Sequence, residues 1–131
     1  MYEKTSLDGL HAALTRQIIG SAYEVHSELG HGFLEKVYST ALRNELLSRG
    51  IKVEAEAQIE VVYKDKPVGL FFADLLVESR VMCEIKAVRR LAPEHEAQLL
   101  NYLKATKIQV GLLLNFGAER VQIKRMVFGP K

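Results

Sequence analysis

Apolar residues recur at intervals of three and four along the first part of the chain. This interval predicts an amphipathic helix from about Leu10 to Leu29, which ends at Gly30. A second helix is predicted to follow and to stop at Gly50, since glycine commonly ends helices. The predicted inner face of this second helix carries Leu34, Val37, Tyr38, Ala41, Leu42 and Leu46.

After Gly50 the hydrophobic period changes to two, which is typical of strands. Five strands and a third helix are predicted in this part of the chain. The strands cover about residues 53–61, 68–77, 81–88, 108–116 and 121–128, and the helix covers residues 93–106. The order of helices and strands indicates an α/β fold with a mixed central sheet flanked by helices. No repeat and no Pro/Gly/Ser-rich linker divides residues 1–131, so we expect a single domain.

Composition narrows the class of protein. The 131 residues are 48% hydrophobic and 26% charged, as in a compact globular domain. Cys83 is the only cysteine, which excludes an internal disulfide and a cysteine zinc cluster. No apolar run approaches the roughly 20 residues of a membrane span, and no signal peptide is visible, so we expect a cytoplasmic protein. A net charge of +2 is too small to indicate nucleic-acid binding by itself.

Three charged side chains interrupt two otherwise apolar strands. Asp74 is expected to share a strand face with Phe72 and Leu76, and Glu84 and Lys86 interrupt the next strand. Burial of an ionised group without a partner is costly, so the three charges need a common reason.

The loop between these strands suggests that reason. If residues 78–80 form a three-residue loop, Asp74 lies opposite Glu84, with Cβ atoms about 4.5–5.5 Å apart. Together with the carbonyl of Ile85, the two carboxylates would form an oxygen-rich site suited to Mg²⁺ or Mn²⁺. Lys86 would then hold a water or stabilise charge on a phosphate. The simpler interpretation is an ion pair between Lys86 and one acid, with the other acid reaching solvent.

Asp74, followed after nine residues by Glu84-Ile85-Lys86, resembles the D-x(n)-E-x-K signature of the PD-(D/E)XK nuclease superfamily. Gly32, Glu35 and Tyr38 form the pattern G-x-x-E-x-x-Y. From about residue 15 to residue 127 the chain is similar to the small bacterial GxxExxY proteins.

The resemblance implies a restriction-endonuclease-like αβββαβ core of the RecB-like type and a metal-dependent nuclease. It also implies a role for each matching residue. Asp74 and Glu84 would be metal ligands, Glu35 would complete the acidic pocket, and Lys86 would be the catalytic lysine. Gln98 and Tyr102 resemble the Q-x-x-x-Y motif of the RecB-like branch.

The same helical residues also have simpler explanations. Glu35 is an acid in a first helical turn, where the helix dipole favours negative charge. Gln98 and Tyr102 are four residues apart and lie on one helix face, which fits a hydrogen-bonded surface as well as a site.

Other candidate residues are the basic ones that could contact phosphates. Arg89 and Arg90 are favoured because they directly follow the strand of Glu84. The remaining candidates are Lys104, Lys107, Lys124 and Arg125.

Two further kinds of site are not favoured. The spacing of His26, His31, Glu35 and His95 does not fit a zinc site. Cys83 is expected to be a core residue and not a nucleophile.

Three functions remain open from the sequence. The first is a metal-dependent phosphodiesterase that acts on nucleic acid, with DNA favoured. The second is a nucleic-acid or partner-binding module that keeps the fold without cleaving. The third is hydrolysis of a small phosphorylated metabolite. Small size and apolar edge strands are compatible with a homodimer or a protein partner.

Overall fold

The computed structural model describes residues 9–129. Its helices are α1 (Ala12–Leu29), α2 (Glu35–Ser48) and α3 (Pro93–Thr106). Its strands are β1 (Val53–Tyr63), β2 (Lys66–Val77), β3 (Val81–Lys86), β4 (Val110–Asn115) and β5 (Gln122–Val127). The order of elements agrees with the prediction. The first helix begins two residues later than predicted, and β3 ends two residues earlier.

The five strands form one mixed sheet in the order β1-β2-β3-β4-β5. β3 and β4 run parallel, and the other neighbouring pairs are antiparallel. The chain crosses from β3 to β4 through α3, as a parallel connection requires. The predicted class, a mixed sheet flanked by helices, is therefore confirmed.

Each face of the sheet is covered by a separate apolar cluster. On one face, Val81, Cys83 and Ile85 of β3 pack with α1 and α2. On the other face, Met82 packs with α3. Burial raises the pKa of the Cys83 thiol, which keeps it protonated, so this cysteine is a core residue as expected.

The inner face of α2 is narrower than the sequence predicts. Tyr38, Leu42 and Leu46 are fully buried, but Leu34 is 80% exposed and Val37 is also exposed. Leu34 precedes the first helical residue and has an extended backbone, so the helical period does not apply to it. Val37 lies about 100° around the helix axis from the buried row and points to solvent.

Tyr38 ties the junction between α1 and α2 together. Its hydroxyl donates a hydrogen bond to the carbonyl of Gly30 at 2.6 Å and accepts one from the N–H of Phe33 at 3.2 Å. Its ring stacks on Phe116, with centroids 4.8 Å apart. These contacts fix the start of α2, where Glu35 is located.

The alternation of side chains along β2 changes at Asp74. Ala73 and Leu76 pack in the cluster on the α3 face, whereas Leu75 packs in the opposite cluster. Phe72 is exposed and does not share a face with Leu76, so the expected common face of these residues with Asp74 is wrong. Opposite this point in β1, Glu56 has a left-handed φ of 52°, and Glu56 and Asp74 are not paired in the ladder, so the pairing of β1 and β2 is irregular here.

Candidate active site

The strands β2 and β3 separate where two carboxylates meet. Leu75–Cys83 is the last pair of this ladder, and the register confirms the three-residue loop at 78–80. Beyond this pair, β2 continues beside β1 and β3 continues beside β4. Asp74 and Glu84 are next in register, so both lie at the fork between the strands.

At the fork, each carboxylate bonds the main chain of the opposite strand. The N–H of Asp74 donates to Oε2 of Glu84 at 2.9 Å. The N–H of Ile85 donates to Oδ2 of Asp74 at 2.7 Å. The two side chains thus replace the main-chain ladder and are held close together.

This arrangement disfavours the ionised form of the Glu84 carboxyl. Its side chain is only 6% exposed. Burial, followed by the negative charge of Asp74, raises the pKa of Glu84 to about 8, although the N–H of Asp74 and the charge of Lys86 act in the opposite direction. The carboxyl of Glu84 therefore holds its proton more readily than an exposed glutamate does, and a divalent cation would displace that proton.

Tyr102 of α3 lies within electrostatic reach of the same pair. Its side chain is buried, and burial together with the charges of Glu84 and Asp74 raises the pKa of the phenol. The hydroxyl consequently stays protonated and is available as a hydrogen-bond donor. Gln98 lies one helical turn earlier and is exposed, and both residues line one groove.

Lys86 is the last residue of β3 and is partly buried. Its positive charge lowers the pKa of Glu84, which places the ammonium within electrostatic reach of the carboxylate pair. Within residues 9–129, its amino group makes no hydrogen bond or ion pair. The ammonium is therefore free to engage an incoming group.

Glu35 approaches the pair from α2. It is exposed, and it lines a cavity of about 320 Å³ together with Asp74 and Ile85. In the described part of the chain, however, no group of three or more His, Cys, Asp or Glu side chains is arranged to hold a metal ion. The structure thus brings Glu35 to the same cavity as Asp74 without completing a three-carboxylate cluster.

Sequence analysis missed a buried amide behind Lys86. Oδ1 of Asn115 accepts hydrogen bonds from the N–H groups of Val88 and Gly117 at 2.9 and 3.0 Å. Its Nδ2 donates to the carbonyl of Val88 and to Oε1 of Gln122, both at 2.8 Å. The available signal was an amide directly after the apolar run 110–114. These bonds hold the chain that follows Lys86.

Two basic residues of the cavity were also missed. Lys36 and Arg43 are seven residues apart on α2, hence two turns along one helix face, and both line the cavity with Asp74. Lys36 pairs with Glu56 at 2.8 Å on the exposed surface. The spacing of the two cations was the only sequence signal.

The basic residues named from the sequence do not share one cavity as Lys36 and Arg43 do. Lys104 lines the groove of Tyr102, and Arg89 and Arg90 are exposed after β3. Arg125 donates to the carbonyl of Leu10 at 2.9 Å. Lys124 lies 3.9 Å from Glu96.

Two of the histidines have structural partners. Nε2 of His26 lies 3.0 Å from the carbonyl oxygen of Ala118. Nδ1 of His95 accepts a hydrogen bond from the N–H of Ala92.

Comparisons with known proteins agree with the fold and with the nuclease superfamily that the sequence resembles. A model of the PD-(D/E)XK nuclease superfamily matches residues 12–126, so the chain belongs to this superfamily. The crystal structure of SSO0001 is similar to this chain, with a TM-score of 0.57 and 19% identity. The match covers 74% of this chain and 52% of that one, so this chain spans about half the length of that structure. No curated protein matches the chain.

The likeness to SSO0001 concerns the fold alone, because the identity is low. Together with the superfamily match it confirms the restriction-endonuclease-like architecture expected from the sequence. Among residues 9–129, no helix has the length and apolar character needed to cross a membrane.

Proposed function

We propose that this protein is a metal-dependent nuclease that hydrolyses phosphodiester bonds in DNA. The observation that carries the proposal is the meeting of Asp74 and Glu84 at the fork between β2 and β3, with Lys86 two residues further along. Membership of a nuclease superfamily supports the reaction class.

The donor set at the fork fits a hard divalent cation. Asp74 and Glu84 offer carboxylate oxygens, and Ile85 offers a main-chain carbonyl, which are the ligand types that Mg²⁺ and Mn²⁺ prefer. Burial, followed by the negative charge of Asp74, raises the pKa of Glu84, and a positive charge between the two groups would oppose both effects. Held by Asp74, Glu84 and the carbonyl of Ile85, such a cation would act as a Lewis acid toward negative charge on a phosphate. Glu35, in the same cavity, is proposed to complete the acidic pocket.

The remaining side chains act on the proton and on the phosphate. Lys86 is proposed to hold the attacking water or to stabilise the charge that develops on the phosphate oxygens. Tyr102 is proposed to donate a hydrogen bond from its protonated hydroxyl, with Gln98 positioning the strand one turn away. Lys36 and Arg43 would neutralise neighbouring phosphates on the α2 side.

Finer assignments belong to the same proposal. The G-x-x-E-x-x-Y and Q-x-x-x-Y patterns support placement among the GxxExxY proteins and in the RecB-like branch. A cytoplasmic location, DNA as the polymer, and assembly with a second copy or a protein partner are proposed on the same sequence grounds.

The proposal is tested by cleavage of a labelled oligonucleotide with Mg²⁺ or Mn²⁺. We expect Asp74→Ala and Lys86→Ala each to lower the cleavage rate by about a hundredfold or more, because each removes a group that stabilises the transition state. Glu60→Ala and Lys52→Ala remove an exposed acid and an exposed base elsewhere, and these controls should cleave normally. Undiminished cleavage by either site variant in a folded protein would refute the assignment.

A non-cleaving module is the second candidate. It is favoured by one observation, namely the absence of a three-carboxylate cluster in the described residues 9–129. Binding of the oligonucleotide without cleavage under any divalent cation would support this candidate over a nuclease.

A further inference from the structure

A second cavity lies on the α3 face of the sheet, beside the candidate active site. Its volume is about 710 Å³, which is within the usual range for a small-molecule site. Tyr102 lines this cavity, and its phenol also lies within electrostatic reach of Glu84 and Asp74 at the fork. The lining residues used below are Phe71, Gln98, Asn101, Tyr102, Lys104 and Glu94.

Phe71 forms an aromatic platform in this cavity. Its side chain is 43% exposed, although a phenylalanine in a strand is normally buried. The ring lies 5.4 Å from the ring of Tyr102. Gly69 makes room for the ring, because a Cβ at that position would come within 3.2 Å of it. The platform is thus held by its neighbours while part of the ring stays open to the cavity.

Polar groups surround the platform. Gln98 and Asn101 supply side-chain amides, each of which both donates and accepts hydrogen bonds, as the edge of a nucleobase requires. Lys104 adds a positive charge, and its Nζ lies 5.8 Å from the ring centre of Phe128. Glu94 adds an acceptor suited to an exocyclic amino group.

We propose that this cavity binds an unpaired nucleobase of the substrate, stacked on Phe71, and that the substrate is therefore single-stranded or locally unpaired nucleic acid. The inference rests on the proposed function, since it concerns the strand presented to the fork. Bases within a duplex are stacked on each other and cannot offer a free face, whereas an unpaired base can stack on an aromatic side chain.

The test is the affinity for a labelled single strand and for a blunt duplex of the same sequence, each about fifteen nucleotides long. Binding is measured with Ca²⁺ replacing Mg²⁺, so that the strands remain intact. We expect Phe71→Ala to weaken single-strand binding by about tenfold, and duplex binding by less than about twofold. Phe71→Trp should bind the single strand about as tightly as the unaltered protein does. Phe71→Leu should bind it as weakly as Phe71→Ala does, since leucine keeps apolar volume without an aromatic face.

The matched control is Phe72→Ala. Phe72 is the adjacent residue, is 51% exposed, and does not line the cavity, so its removal should leave both affinities unchanged. Equal losses for the two alanine variants, equal losses for single strand and duplex, or no measurable single-strand binding by the unaltered protein would overturn the inference. Efficient competition by a free deoxynucleoside monophosphate would also overturn it, since the ligand would then be a nucleotide and not a strand.

Failure of this inference and failure of the proposed function give different results. Single-strand binding that depends on Phe71, without any cleavage in Mg²⁺, would refute the proposed nuclease activity and support the base-binding cavity. Cleavage that needs Asp74, together with strand binding that is unchanged in Phe71→Ala, would support the nuclease activity and refute the base-binding cavity.

Discussion

Glu84 gives the site a pH dependence that the metal-free protein should show. The pKa of its carboxyl is about 8 in the fold, against a value of 4.5 in the unfolded chain. Between these values the folded state binds a proton that the unfolded state has released, so stability falls as pH rises through this window. We expect the free energy of unfolding to decrease by at least about 1 kcal/mol from about pH 5 to pH 8, measured by urea denaturation in a chelator.

The matched variant for this pH effect is Glu84→Gln, which keeps the side-chain volume but does not titrate. Its stability curve should lose the downward slope. If the unaltered protein instead gains stability over this range, Glu84 is ionised in the fold and the close carboxylate pair is wrong.

At Tyr102 the contribution of the hydroxyl can be measured separately from that of the ring. Phe at this position keeps the contact with Phe71 but removes the donor near Asp74 and Glu84. We expect Tyr102→Phe to lower the single-turnover cleavage rate by about tenfold while stability changes by less than about 1 kcal/mol. A variant that cleaves at the normal rate would leave Tyr102 with a packing role only.

The chain segments that follow the parallel strands β3 and β4 pack closely together at Gly117. A Cβ at this position would come within 2.4 Å of the main-chain N and O atoms of Val88. Neither atom can move without disturbing the hydrogen bonds of Asn115, so we expect Gly117→Ala to destabilise the fold by about 1–3 kcal/mol. The loss would be measured as a lower melting temperature, with a lower cleavage rate because the chain after Lys86 shifts.

Gly20→Ala is the control for that change. Gly20 lies inside α1, and its Cβ would meet only the flexible guanidinium of Arg49, at 3.5 Å. Alanine should therefore be neutral or stabilise the helix by up to about 1 kcal/mol. Equal effects of the two substitutions would contradict the steric account of Gly117.

At the level of elements, local sequence patterns predicted those features of the fold that depend on a single helix or on one pair of strands joined by a short loop. The interval of three and four apolar residues predicted α1, whose buried side includes Leu14, Ile18 and Ala22, and the loop at 78–80 predicted the register of β2 and β3. The change of face at Asp74 was not predictable, because it coincides with an irregular pairing with Glu56 of the neighbouring strand.

The candidate site was predictable to a similar extent. Asp74, Glu84 and Lys86 were visible because charges interrupt apolar strands. Asn115 was missed because its four hydrogen bonds link segments that are distant in sequence, which no single periodicity records. The exposure of Phe71 was not predicted, because an apolar strand residue is expected to be buried.

For the whole molecule, one cavity is lined by Asp74 of the fork, and a second cavity of different chemistry is lined by Tyr102, which is within electrostatic reach of the fork. The cavity on the α2 side is polar and includes Glu35, Lys36 and Arg43, whereas the cavity on the α3 side is largely apolar. This division suits a nucleic-acid strand, whose phosphates and bases demand opposite surroundings. The function proposed for both cavities therefore depends on what the carboxylates of the fork bind.

The most direct measurement is a crystal structure of the protein soaked with Mn²⁺, with the ion located by its anomalous scattering. We expect one site at the fork, with oxygen atoms of Asp74 and Glu84 at about 2.0–2.6 Å from the ion, and no such site in a crystal of Asp74→Ala. An ion bound elsewhere, or carboxyl groups turned away from each other in the presence of Mn²⁺, would contradict the account.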